Sequence, residues 1–185
     1  MIELVGTKIN TIEDFMKINT NNIGISTEEW DYFGQVQFGH PHGTGIMEFK
    51  NSEYRFSVYV GEFVNGRFDG YGKLTFTYGD TYEGYFKDGR MNGIGKLTWK
   101  KEGDYYEGNF INGVRSGKGK IIRSFGGYYD GDFDNNKKDG YGKFRFEDGS
   151  IFEGSFSYDR MIEGKLTTKD GKVFKGKWDK LMHYL

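Results

Sequence analysis

A five-residue signature, Tyr-x-Gly-x-Phe, recurs in phase along the chain, and a repeat this regular leaves few folds open. Clear copies are YVGEF (59–63), YEGYF (82–86), YEGNF (106–110), YDGDF (129–133) and FEGSF (152–156), with weaker ones at YFGQV (32–36) and FKGKW (174–178). The central glycines stand at 34, 61, 84, 108, 131, 154 and 176, so successive copies lie 22–27 residues apart. A second signature, Gly-x-Gly, reads GTG (43–45), GYG (70–72), GIG (93–95), GKG (117–119) and GYG (140–142), its last glycine nine residues after the closing position of the first. The sixth copy departs: its segment IEG (162–164) is one residue shorter and lacks the first glycine.

Alternate residues of a strand share a face. In the third copy Tyr82, Gly84 and Phe86 fall on one side and Glu83 and Tyr85 on the other; Gly93, Gly95, Leu97 and Trp99 then share a side, opposite Ile94, Lys96 and Thr98. The intervening KDGRMN offers Asp88, Gly89 and Asn92 for a turn, which makes the unit a β-hairpin. Glycine weakens a strand, so its repeated placement needs a compensation. With Phe86 opposite Gly95, Gly84 faces Leu97 and Tyr82 faces Trp99, and each bulky side chain lies over bare backbone across the pair. A buried aromatic removes roughly 150–250 Å² from water, which outweighs roughly 1 kcal/mol of strand propensity.

The predicted fold is therefore all-β: an elongated single-layer antiparallel meander of six tandem hairpins and a final strand, spanning residues 30–178. One face carries the aromatic row and the other reads Glu62, Lys73, Thr75, Glu83, Lys96, Thr98, Glu107, Lys120, Glu153 and Ser155. Arg123 and Thr168 interrupt the aromatic row. Residues 1–29 read as an N-terminal cap or docking segment, with Thr11 and Asp14 resembling a capping box and Ile12, Phe15 and Met16 on one face of a short helix. Residues 179–185 form a C-terminal tail.

Composition excludes several classes. Thirty glycines beside one proline (Pro41), 17 Phe, 14 Tyr and 3 Trp is neither collagen-like nor the aromatic-poor make-up of disorder. A formal net charge of −1 gives no reason to expect nucleic acid. The absence of cysteine removes disulfides, thiolate metal sites and cysteine nucleophiles. MIELVGTKINTIEDF has no basic stretch followed by a long apolar one, and no run reaches the roughly 20 apolar residues of a membrane helix, so a soluble intracellular protein is expected.

The search for chemistry yields no catalytic, cofactor or metal site. The Gly-x-Gly segments lie within hairpins, outside the strand–turn–helix setting of a dinucleotide fingerprint, and GVRSGKG (113–119) has the wrong spacing for a phosphate loop. His40 and His42 flank Pro41 in an expected exposed loop and His183 lies in the tail, too few ligands for a metal. Glu83, Glu107, Asp130 and Glu153 occupy separate repeats, where cross-strand pairing explains them better than acid–base work. INGVRSGKGKIIRSF (111–125) holds Arg115, Lys118, Lys120 and Arg123 without an acid, a candidate patch for anionic lipid or an acidic partner.

A single-layer sheet leaves its apolar side to be covered, and an aromatic groove of that kind marks an interaction site for a helix or extended segment. Its candidate residues are Tyr59, Phe63, Phe76, Tyr82, Phe86, Leu97, Trp99, Tyr106, Phe110, Tyr129 and Phe133. The phased signatures resemble the MORN (membrane occupation and recognition nexus) repeat, with consensus near YEGEF-x-x-G-x-x-x-G-x-G, over about residues 30–178. That resemblance implies a non-enzymatic scaffold or adaptor that binds partner proteins, without cofactor, in a cytoskeletal, ciliary or axonemal assembly within the cytoplasm. The alternative is a peripheral membrane tether acting through the basic patch. The open ends of the array also suit homo-oligomerisation.

Overall fold

The structure, a computed structural model, describes residues 2–4, 7–9, 23–50 and 55–178. Strands β1 (Ile2–Leu4) and β2 (Thr7–Ile9) pair antiparallel, and the helix expected around Thr11–Met16 lies outside the described residues. The chain divides into two compact units, Met1–Lys101 and Glu102–Leu185.

The first unit carries an antiparallel meander of β3 (Ile23–Ser26), β4 (Trp30–Gln37), β5 (His40–Phe49), β6 (Phe56–Val64), β7 (Arg67–Phe76), β8 (Thr81–Lys87) and β9 (Arg90–Thr98). The second carries β10 (Tyr105–Ile111), β11 (Val114–Ile122), β12 (Tyr128–Asp134), β13 (Lys137–Arg145), β14 (Ile151–Ser157), β15 (Arg160–Thr167) and β16 (Val173–Lys177). The all-β reading and the tandem hairpins hold. One strand is additional: β3, within the segment read as a cap, pairs with β4 from Ile23–Gly34 to Ser26–Asp31.

Each of the six repeat hairpins, β4–β5 to β14–β15, closes in two residues. Phe38–Gly39, Asn65–Gly66, Asp88–Gly89, Asn112–Gly113, Asn135–Asn136 and Tyr158–Asp159 all have positive φ, as the type I′ turn requires. The third turn is thus tighter than expected: Lys87 pairs with Arg90, and Asn92 belongs to β9. His40 and His42, expected in a loop, are likewise the opening residues of β5.

The register differs from the sequence expectation by two residues. Gly84 faces Gly95 and Tyr82 faces Leu97, and the same Gly–Gly pairing recurs at Gly34–Gly45, Gly61–Gly72, Gly108–Gly119, Gly131–Gly142 and Gly154–Gly164. Below that pair the ladder slips: Phe86 meets Met91, so the second strand holds two extra residues in a bulge. The first glycine of each Gly-x-Gly sits in that bulge with positive φ, between 62° at Gly43 and 108° at Gly140. In the sixth hairpin Ser155 pairs with Glu163 and Phe156 with Met161, a bulge of one residue, which explains the shorter IEG segment without a first glycine.

Other sequence features find their places here. Arg123 and Thr168 interrupt the aromatic row because β11 and β15 have ended and connecting turns have begun. Arg123 ion-pairs with Asp104 at 2.7 Å, and Thr168 Oγ1 accepts the Lys172 N–H at 3.1 Å. The second face is not polar throughout: Ile46 and Val60, paired across β5 and β6, are buried on it.

Candidate partner-binding face

The site begins with one tyrosine and two glycines. A Cβ on Gly108 would stand 2.5 Å from Gly119 Cα and 2.7 Å from the Lys118 carbonyl oxygen, so this strand pair is too close for side chains. The Tyr106 ring covers the bare backbone and its hydroxyl donates to the Asn109 carbonyl at 2.9 Å. Asn109 lies at the bulge and has no place in the hairpin's own ladder, so the phenol supplies the missing donor. Tyr32, Tyr59, Tyr82 and Tyr129 do the same to Gln35, Glu62, Tyr85 and Asp132, at 2.5–3.0 Å. Burial pushes the Tyr106 phenol up to about 12 and raises Tyr32, Tyr59 and Tyr129 further, so these four keep their protons at physiological pH.

The closing phenylalanines Phe63, Phe86 and Phe133 each wedge between two such tyrosines. Phe86 meets Tyr82 and Tyr59 edge-on at 5.0 and 5.1 Å; Phe133 meets Tyr129 and Tyr106, both at 5.1 Å. This herringbone buries Tyr59, Phe63, Tyr82, Phe86, Tyr106, Phe110, Tyr129 and Phe133, all candidate groove residues, to 4% exposure or less. They form the core of the sheet rather than an open groove wall. Phe76, Leu97 and Trp99, the other three candidates, are half-buried, as are Phe144 and Phe146. Away from the edge strand β16, the accessible part of the aromatic face is largely this rim of second-strand side chains.

A further column covers the tyrosine rings from the residue two places after each turn. Phe68 stacks flat on Tyr59 at 3.8 Å, and Met91 holds the equivalent place in the next hairpin. In the first two hairpins of the second unit the place passes to cations. Arg115 lies 5.6 Å over the Tyr106 ring and 5.7 Å over Phe133; Lys138 lies 5.8 Å over Tyr129 and 4.9 Å over Phe144. Burial lowers the pKa of both. Sequence reasoning missed Lys138, because its relation to Arg115 appears only when residues are counted from the turn.

The basic segment does not form one patch. Arg115 points to the aromatic face and donates to the Asn136 carbonyl at 2.7 Å. Lys118 and Lys120 sit on the opposite face against Asp132 at 2.7 Å and Asp130 at 3.3 Å, acids brought from β12 by the register. Arg123 is held by buried Asp104. Of the acids read as cross-strand partners, Asp130 pairs with Lys120, and Glu153 bridges Lys143 at 3.0 Å and Lys165 at 2.9 Å, contacts that lower its pKa. Among the described residues no group of three or more His, Cys, Asp or Glu could hold a metal ion, and no helix is long and apolar enough to cross a membrane.

The family comparison finds the same repeat. The family model of the MORN repeat matches five times, at residues 32–54, 59–81, 82–103, 106–124 and 129–151, leaving the copies at 152–156 and 174–178 outside the matches. No curated protein is a significant match. Among solved structures, the TCP domain of SAS-4 (dCPAP) from Drosophila melanogaster, in complex with a proline-rich motif of Ana2 (dSTIL), is similar at 9% identity and a TM-score of 0.37, over 94% of this chain and 96% of that one. The repeated signature, its Gly–Gly register and the five family matches together make the chain a member of the MORN-repeat family.

Proposed function

We propose that this protein is a non-enzymatic adaptor that binds a protein segment on its aromatic face, within a cytoskeletal or ciliary assembly of the cytoplasm. The supporting observation is the half-buried rim, Phe76, Leu97 and Trp99 in the first unit and Phe144 and Phe146 in the second, beside a closed ladder of rings. Apolar side chains on one face of a sheet are the substrate of helix-in-groove recognition. Family membership supports protein or membrane binding as the broader class; the cytoskeletal or ciliary location is what the MORN resemblance implies.

The test is affinity purification from native cells with the wild-type chain and a Leu97→Asn, Trp99→Asn variant, circular dichroism confirming that both fold. Loss of specific proteins with the variant is expected; an unchanged set of retained proteins overturns the reading. Membrane tethering through the basic segment is disfavoured by the pairing of Lys118 and Lys120 with Asp132 and Asp130. Sedimentation with phosphatidylserine vesicles distinguishes the two: salt-sensitive binding lost on replacing both lysines by alanine returns the membrane to first place.

A further inference from the structure

The last strand breaks a charge pattern that both units carry. On the second face the register sets lysine against acid: Lys73 faces Glu83, Lys120 faces Asp130, Lys143 faces Glu153 and Glu153 faces Lys165. At β16 the alternation fails, and Lys165 faces Lys175. Lys165 is already held by Glu153 at 2.9 Å, and like charges directly opposite each other destabilise a strand pair. Lys177, in register with Glu163, shares the face of Lys175. Among the described residues neither Lys175 nor Lys177 makes an ion pair.

The backbone of this strand is aimed outward at the same residues. The Trp178 N–H donates to the Ile162 carbonyl at 2.7 Å, and the Thr168 N–H to the Lys172 carbonyl at 2.9 Å. Alternation along an antiparallel ladder then turns the N–H and C=O groups of Phe174 and Gly176 toward β15, and those of Val173, Lys175 and Lys177 away from it. β16 is the end strand of the second unit's meander, every residue of it is exposed, and Val173 and Phe174 are apolar. A second copy of the chain fits this edge poorly. Lysine on an edge strand guards against self-pairing, and an antiparallel pair of β16 strands centred on Lys175 or Gly176 sets lysine against lysine. β3, the end strand of the first unit's meander, brings Gly24 and Ser26 on the second face and no carboxylate.

We propose that the free edge of β16 takes up an extended acidic segment of a partner protein as an added antiparallel strand, with carboxylates opposite Lys175 and Lys177, glycine opposite Gly176 and an apolar residue opposite Phe174. Main-chain hydrogen bonds supply the attachment, and the two carboxylates supply the selection. The carboxylate opposite Lys175 restores the alternation that the Lys165–Lys175 pair breaks. The edge is a second surface, independent of the aromatic rim.

The test uses the full chain and three fluorescent peptides with the core Ile-X-Gly-X-Leu-Thr, in which both X residues are Glu, Gln or Lys. The core follows IEGKLT (162–167) of β15, which already pairs with β16 in this register. Anisotropy is measured at about 20 mM and about 300 mM salt. The Glu peptide is expected to bind at least about tenfold tighter than the Lys peptide at low salt, with the Gln peptide between them and the margin shrinking at high salt. The Lys175→Glu, Lys177→Glu variant, changed only at exposed positions, is expected to fold and to reverse that order. At saturation the Glu peptide should slow exchange of the Val173, Lys175 and Lys177 amides at least about tenfold, read by NMR. Equal binding of the Glu and Lys peptides, an order unchanged by the variant, or no binding by any peptide overturns the inference. Binding that leaves those amides unprotected overturns strand addition. Protection of the same amides without peptide overturns it too, in favour of a second copy where sedimentation shows a dimer.

Discussion

The Gly–Gly pair and the ring above it behave as one packing unit, so glycines that look alike in sequence should respond differently to mutation. Gly108→Ala places a methyl group 2.5 Å from Gly119 Cα, and two backbones cannot both give way; a loss of about 2–3 kcal/mol or more is expected from chemical denaturation. Gly113→Ala, in the turn with φ of 88° and nothing within 4 Å, should cost about 1 kcal/mol, from backbone conformation alone. Equal losses at the two positions would contradict the ring-over-backbone account. The phenol makes a separate contribution. Tyr106→Phe leaves the Asn109 carbonyl without its donor and should cost about 1 kcal/mol. The reverse change, Phe152→Tyr, should bring no gain, because Ser155 already keeps a ladder position opposite Glu163. The sixth copy thus lost the hydroxyl and the first glycine together, for one reason.

At the level of elements, the hairpin turns show where the sequence departs from what folding prefers. Asn or Asp leads four of the six two-residue turns, but Phe38 and Tyr158 lead the others, at φ of 51° and 48°. The αL region is uncommon for aromatics, and Phe38 is 89% exposed. Phe38→Asn should therefore stabilise the chain by about 1 kcal/mol, read as a raised denaturation midpoint. The connection leading into β10 depends instead on buried Asp104. Burial alone would raise its pKa, but the Ser124 N–H and the Arg123 guanidinium more than offset this and hold it below the usual carboxylate range. A folded-state pKa below the unfolded one contributes stability above the unfolded value, about 3.9, and that contribution is lost as pH falls through the folded value. Asp104→Asn should cost about 1–3 kcal/mol at neutral pH, with the gap from wild type narrowing below about pH 4. A gap independent of pH would exclude the charged pair as its source.

For the whole molecule, each unit is built from strands that pair with their sequence neighbours, so local stability should follow position in the meander. Every residue of β16 is exposed, and Phe174, at the place where Phe152 is fully buried, is 50% exposed. Amide hydrogen exchange should be fast in β16 and slow in β12–β14; comparable protection would show that the edge is covered in solution. The aromatic face follows the same logic. Its Tyr–Phe ladder belongs to the fold, and only side chains that the ladder does not enclose are accessible for the proposed recognition.

The sequence by itself determined the hairpin repeat, the face each aromatic occupies and the family, because these follow from a two-residue strand period and a phased signature. It also pointed to Glu153 as a cross-strand partner, since charges one strand apart can be read from repeat spacing. Only tertiary structure decided the register, which rests on two backbones closing to glycine contact, and which aromatics remain accessible, which rests on the next hairpin's phenylalanine. It also divided the basic segment between two faces, because the acids that pair with Lys118 and Lys120 arrive from a neighbouring strand. The ring-capping cations Arg115 and Lys138 became visible for the same reason: their shared position is defined by distance from a turn and a bulge, and a bulge is a property of two strands together.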